Sequence, residues 1–309
     1  MAFPIEKKLV ITIASSALFD LSKAHKVFKE KGEAAYRAYQ RKNCNIAFPP
    51  GVAFPFIKRL LSLNKSFPKI EPIEIIMLSK NDPETGLRAF RSIKKYKLNI
   101  TRAAFLTGRS PYKYIPAFNS SLFLSKSQKD VQDAIDAGYP AGKVLTSQID
   151  DDKEDFELRI AFDFDGVLAD DSAEAVFKQS NDIRKFHKSE KRKMYLPHPP
   201  GPLKDLFKKI AYFQKLEIER QKHERSYKRV LKIAIVTARS APSHERVVTT
   251  LRQWGVFADE TFFLGGIEKA RVLEIMKPHI YFDDQLTHLE RAALKVPSVH
   301  IPFGIANKI

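Results

Sequence analysis

Short apolar runs alternate with longer stretches in which apolar positions recur every three or four residues. The runs predict strands at 9–14, 74–78, 103–106, 121–124, 159–163, 232–236, 261–264 and 279–282. The longer period predicts helices at 52–63, 85–96, 127–137, 203–229, 243–253 and 268–276. Ser127 and Gly138 frame one of them as start and stop signals. Strands alternating with helices predict an α/β fold with parallel sheets covered on both faces. In such sheets the chemistry gathers at the carboxyl ends of the strands.

The pattern also runs twice, offset by about 150 residues. Val10–Asp20 resembles Ile160–Asp170, and Pro49-Pro50-Gly51 resembles Pro199-Pro200-Gly201. Ile75–Ser79 resembles Ala234–Thr237, Phe105–Gly108 resembles Phe263–Gly266, and Leu122–Ser125 resembles Tyr281–Asp284. Ser79 to Gly108 and Thr237 to Gly266 are both 29 residues. Two Rossmann-like halves related by an internal repeat are therefore expected, 1–150 and 151–309, with a polar boundary over 146–156. A basic insertion at 171–200 is expected to form a small helical lid.

Composition narrows the classes. With 309 residues, 44% apolar and 29% charged, the chain can bury a core, which excludes disorder and a disulfide scaffold. Cys44 is the single cysteine, which fits a reducing compartment. Lys7-Lys8 followed by Leu9–Phe19 mimics a signal peptide, but the run is too short to span a bilayer and reads better as a buried first strand. A cytoplasmic protein with no membrane partner is expected.

The net charge of +17 suggests an anionic partner. Residues 1–150 hold 25 Lys and Arg against 12 Asp and Glu, a net of +13; residues 151–309 hold 28 against 24, a net of +4. Within the second half, 184–232 carries 16 basic and 5 acidic residues, so the remainder is −7. Its acids include Asp163, Asp165, Asp170, Asp171, Glu174, Asp283 and Asp284. A local acid cluster in a basic chain suits a divalent cation, although acids also cap helices and solvate turns.

Asp163-Phe164-Asp165-Gly166-Val167 follows the apolar strand Leu158–Phe162. This DxDGV pattern resembles motif I of the haloacid-dehalogenase-like phosphatases. Thr237 at the end of its strand, Lys269 opening a helix and Asp283-Asp284 ending a strand resemble motifs II, III and IV in the same order. The resemblance implies Asp163 as a nucleophile forming an aspartyl-phosphate, and Asp165 as the acid that protonates the leaving group and then activates water. It implies Thr237, Ala238 and Lys269 as the phosphate-binding residues. It implies Mg²⁺ held by Asp163, the Asp165 backbone carbonyl and Asp283, with Asp284 as a further ligand through water or an orienting group.

Longer phrases are similar to the cytosolic 5′-nucleotidase I family across about residues 9–304. They include Pro50-Gly51-Val52-Ala53-Phe54-Pro55-Phe56, Gly201-Pro202-Leu203-Lys204, Val236-Thr237-Ala238-Arg239-Ser240-Ala241, Leu251-Arg252-Gln253-Trp254-Gly255, Phe282-Asp283-Asp284-Gln285 and His300-Ile301-Pro302-Phe303-Gly304. That resemblance implies Mg²⁺-dependent hydrolysis of nucleoside 5′-monophosphates such as AMP and IMP. Family members often carry Gly where this chain has Phe164, whose side chain is expected to point away from the neighbouring acids. A sugar phosphate or another small monoester is the competing substrate. A nucleic-acid-binding protein on an inactive hydrolase fold is the competing class; the intact acids argue against it, so no nucleic acid is expected. A homo-oligomer is left open.

The first half lacks the acids: Ser15 and Ser16 stand where the second half has Asp163 and Asp165, and Leu124-Ser125 align with Asp283-Asp284. It is expected to serve as part of a substrate pocket or an interface, with Asn81, Asp82, Thr107, Gly108, Arg109 and Asn119 as candidates at strand ends. The competing reading is that these residues cap turns. Tyr112, Tyr114, Phe118 and Phe123 either stack on a base or fill core.

Overall fold

The computed structural model describes residues 3–147, 151–152 and 154–307. Contacts divide the chain into two units, Met1–Val144 and Leu145–Ile309. Part of the expected boundary, 148–150 and 153, lies outside the described residues.

In the first unit, β1 (Leu9–Ile13), β2 (Ile73–Ser79), β3 (Arg102–Phe105), β4 (Ser120–Ser125) and β5 (Ala141–Val144) run in the order β3-β2-β1-β4-β5. Every neighbouring pair is parallel. In the second unit, β6 (Leu158–Phe162), β7 (Leu231–Thr237), β8 (Glu260–Phe263), β9 (Ile280–Asp283) and β10 (Ser298–His300) run in the order β10-β9-β6-β7-β8, again all parallel. The architecture is mixed α/β with parallel sheets, consistent with a Rossmann-like fold.

Parallel strands buried on both faces need continuous apolar sequence rather than alternation. Leu9–Ile13 and Ile73–Ser79 meet that need and are buried at every position. Helix Phe54–Ser66 covers the first sheet with Phe56, Ile57 and Leu60, all fully buried. In the second unit Val236, Tyr281, Leu273 and Leu289 belong to one apolar cluster.

Several elements differ from expectation for a physical reason. Strands β5 and β10 have four and three residues, too few to show a period. Helix Ser22–Lys42 buries only Ala24 and Gln40, so it carries no apolar stripe, and Gly32 (φ 76°) interrupts it. The helix expected over 203–229 ends at His223. The basic insertion contains two helices, Ser172–Ser180 and Ile183–Arg192. Among the described residues no helix is long and apolar enough to cross a membrane.

Backbone geometry places the polar loops of the second unit at the carboxyl ends of its strands. Asp163 N donates to Phe282 O at 2.8 Å, and Leu264 N donates to Thr237 O at 3.0 Å. The loop after β6 closes by a bridge between Ala169 and Pro200. Gly201 permits that closure, because a Cβ there would lie 2.3 Å from Ala169 O.

Candidate active site

Asp163, Asp283, Asp284 and Lys269 are brought together from three loops of the second unit, all essentially buried. The Lys269 ammonium lies 2.8 Å from Asp163 Oδ2 and 2.8 Å from Asp283 Oδ2. Asp163 Oδ1 accepts from Phe164 N at 2.7 Å. Asp283 Oδ1 accepts from Gln285 N at 2.8 Å, and its Oδ2 accepts from the Tyr281 hydroxyl. His288 Nδ1 stands 3.3 Å from Asp283 Oδ2. Gly166 (φ 69°) turns the chain after the two acids, and a Cβ there would fall 2.4 Å from Asp284 Oδ2. An alanine would therefore be strained and would push directly on the acid.

Three carboxylates facing one ammonium leave the cluster short of positive charge. Burial pushes Asp163 up to about 7, with Asp283 and Asp165 adding to the rise and Lys269 opposing it. Burial also raises Asp284 well above the carboxylate range, aided by Asp283, Asp163 and Glu174. Burial works the same way on Asp283, but Lys269 and His288 outweigh it and hold that acid low. Lys269 is raised: burial opposes its charge, and the Asp163 and Asp283 carboxylates win.

Both carboxylate oxygens of Asp284 are buried without a hydrogen-bond partner among the described residues. Such a group is costly unless a cation or proton answers it. Ligand atoms of Asp163, Asp283 and His288 lie within 4.8 Å of one another. The donor set is oxygen-rich and fits a divalent cation.

A second network starts from Arg239, which follows β7. Its Nε and Nη2 donate to Asp165 Oδ2 and Oδ1, each at 2.7 Å, in a two-pronged pair. Its Nη1 donates to Glu190 on helix Ile183–Arg192. Glu190 also accepts from Arg246 at 2.8 Å and lies 3.1 Å from His198 Nε2. Burial opposes the Glu190 charge, yet His198 and Arg239 hold it well below the usual range. The insertion is thereby joined to Asp165 through one buried guanidinium.

The remaining expected residues divide. Thr237 is buried, and its hydroxyl accepts from Arg239 N at 3.2 Å; Ala238 is exposed beside it. Phe164 is fully buried, meets the His198 ring edge-on at 5.4 Å and lies 5.5 Å from the Arg239 guanidinium carbon. In the first unit Asn81, Asp82, Thr107 and Gly108 line a cavity of about 730 Å³. Arg109 and Asn119 do not line it. Arg109 is an exposed residue whose N–H closes a turn onto Leu106 O, and Asn119 (φ 48°) ends a short helix. Asp82 does cap a helix, accepting from Thr85 N at 3.0 Å. Tyr112, Phe118 and Phe123 pack in the core, whereas Tyr114 is exposed.

Sequence patterning does not mark Arg239, Glu190, His198, Tyr281 or His288 as site residues. Arg239 lies inside the phrase Val236–Ala241, Tyr281 opens the repeated segment Tyr281–Asp284, and His288 follows Asp284 by four residues; Glu190 and His198 carry no local signal.

A family model described as 5′-nucleotidase matches residues 1–308. The chain is 34% identical over 298 residues to human cytosolic 5′-nucleotidase 1B. That alignment covers 94% of this chain and 48% of the relative, so the chain spans about half the relative's length. No solved structure matches the chain.

Proposed function

The chain belongs to the 5′-nucleotidase family, and on that premise we propose that its second unit hydrolyses nucleoside 5′-monophosphates, AMP and IMP among them, to nucleoside and phosphate. The observation that carries this reading is the buried Lys269 ammonium between Asp163 and Asp283, beside the partnerless Asp284 carboxylate. A phosphate monoester is dianionic, and such a site supplies both a nucleophile and a place for neutralising charge.

In this reading Asp163 attacks phosphorus, the bond from phosphorus to the nucleoside oxygen breaks, and that oxygen takes a proton from Asp165. Water then attacks the aspartyl-phosphate, gives its proton to Asp165, and leaves free phosphate with Asp163 restored. Thr237, Lys269 and the exposed backbone at Ala238 hold the phosphoryl oxygens. Mg²⁺, when bound, offsets the charge of the acids and of the phosphoryl group. Asp163, Asp283 and the Asp165 carbonyl would hold it, with Asp284 beyond them. Lys269 keeps Asp163 oriented, and Tyr281 and His288 fix the Asp283 carboxylate.

Arg239 holds both carboxylate oxygens of Asp165, each at 2.7 Å. The acid role requires an Asp165 oxygen to turn from that clamp to the substrate, while Arg239 Nη1 stays with Glu190. The helices Ser172–Ser180 and Ile183–Arg192 then act as a lid whose position is felt at Asp165.

We also read the two units as a haloacid-dehalogenase-like repeat. The support is the shared strand order and a set of matching local bonds. Leu106 N donates to Ser79 O as Leu264 N donates to Thr237 O, both at 3.0 Å. Ser127 N reaches the Ser125 side chain at 3.1 Å as Gln285 N reaches Asp283 at 2.8 Å. These bonds pair Ser125-Lys126, rather than Leu124-Ser125, with Asp283-Asp284. A cytoplasmic location is carried over from the relative's name. The test is phosphate release over nucleoside 5′-monophosphates and sugar phosphates, with and without Mg²⁺. Nucleotide-selective, Mg²⁺-dependent release is expected, and equal release from sugar phosphates would reject the substrate class.

A further inference from the structure

A cavity of about 730 Å³ lies at the strand ends of the first unit, where the acids are missing. Matching bonds identify what stands there instead. Ala14 N donates to Leu124 O at 2.8 Å, the place of Asp163. Asn81 Nδ2 donates to Ser15 Oγ at 3.0 Å, as Arg239 donates to Asp165. Arg109 N donates to Leu106 O as Ile267 N does to Leu264 O, which puts Pro111 in the place of Lys269. Four acids and one lysine thus become Ala14, Ser15, Ser125, Lys126 and Pro111, and the formal charge goes from −3 to +1.

The nucleophile and the cation ligands are gone, while hydroxyl and amide donors remain. Ser15 Oγ lies 3.0 Å from Ser79 Oγ. The acids on the cavity wall are occupied: Asp130 pairs with Lys80, Asp82 caps its helix, and Glu33 pairs with Arg37 at 2.7 Å. Lys126 makes no ion pair within 4 Å among the described residues, although it faces Asp20 closely enough to lower that acid, after the hydrogen bonds from Ser22. Across the cavity, helix Ser22–Lys42 contributes His25, Phe28 and Tyr36. Their rings form a chain with centroids 6.5 Å and 5.7 Å apart. Phe28 is 46% exposed, a large apolar face left open to the cavity.

We propose that this cavity binds a nucleoside monophosphate without metal and without hydrolysis. The base lies against Phe28 and its ring neighbours, and the phosphate meets Lys126 and the Ser15, Ser79 and Ser125 hydroxyls. The volume of about 730 Å³ falls in the usual range for small-ligand sites, roughly 300–1,000 Å³. Aromatic faces suit a base, and hydroxyls with one ammonium suit a phosphate whose charge needs no divalent cation.

The test is calorimetric titration of the full chain with AMP in EDTA, where turnover is suppressed. Lys126→Glu is expected to weaken binding at least tenfold, and Phe28→Ala several-fold, while Lys228→Gln, on the exposed surface of the other unit, leaves it within twofold. Adenosine and inorganic phosphate alone are each expected to bind at least tenfold more weakly than AMP. Absence of saturable AMP binding, or binding indifferent to both first-unit variants, would overturn the proposal. So would adenosine binding as tightly as AMP. Phosphate release with Mg²⁺ on the same preparations separates this outcome from the catalytic reading: Lys126→Glu is expected to keep its kcat at saturating AMP.

Discussion

Two sets of strand ends in one chain share a backbone plan and differ in charge. At the ends of β6, β7 and β9 lie carboxylates, one buried ammonium and a guanidinium clamp. At the ends of β1, β2 and β4 lie serines, an asparagine and two lysines around an open cavity. The difference teaches that the fold supplies positions, and that side-chain charge decides what each set of positions can hold. Burial raises Asp163 and Asp284, their acidic neighbours add to the rise, and a cation would offset it. The serines form a neutral hydrogen-bonded set that demands none.

The sharpest way to break the contrast is Asp163→Asn. It keeps the shape and removes the proposed nucleophile, so kcat for AMP is expected to fall by about 10³-fold or more, measured as phosphate release. Lys269→Met is next, with an expected loss of about 10²–10³ in kcat from the missing phosphoryl contact. Ser125→Ala, at the matching place of the first unit, is expected to change kcat less than twofold, and a large loss there would erase the distinction between the units.

Glu190→Gln strikes stability. It leaves Arg239 and Arg246 buried with one charge partner removed, at an expected cost of about 3–5 kcal/mol in denaturant unfolding. The smallest effect is in the pH dependence of metal-free protein. Asp163 is pushed from 3.8 to about 7 on folding, so the folded state binds the extra proton between those values. Its stabilisation is complete below about pH 4 and is lost as pH rises through 7. Thermal unfolding in EDTA should therefore show wild type losing ground to Asp163→Asn between about pH 4 and 7. A parallel pair of curves would reject the burial argument.

Much of this was legible in the sequence. The acids fall at the ends of apolar runs, so Asp163, Asp165, Thr237 and Asp283-Asp284 could be placed before any coordinates. The Ser127 cap and the αL turn at Gly138 were equally local. What escaped depends on distant partners. Glu190 meets Arg239 from 49 positions away, and neither periodicity nor spacing encodes such a meeting. Helix Ser22–Lys42 escaped because it faces a cavity rather than the core, and that absence of an apolar stripe is itself the mark of its aromatic lining. The cavity was legible only in part: Asn81, Asp82, Thr107 and Gly108 were expected at strand ends, but Lys126 and the aromatic wall were not.

The net charge of +17 takes on a definite distribution in this light. The acids are concentrated in the second unit, where a cation can answer them, and the first unit keeps a surplus of positive charge. Such a field favours the approach of small anions and weakens with salt.

The most direct measurement is acid-quench trapping of the phosphoenzyme from AMP carrying a radiolabelled phosphate, followed by peptide mapping. The label is expected on the peptide containing Asp163, dependent on Mg²⁺ and absent in Asp163→Asn. Label on a peptide from residues 1–144, or undiminished turnover by Asp163→Asn, would contradict the assignment of the chemistry to the second unit.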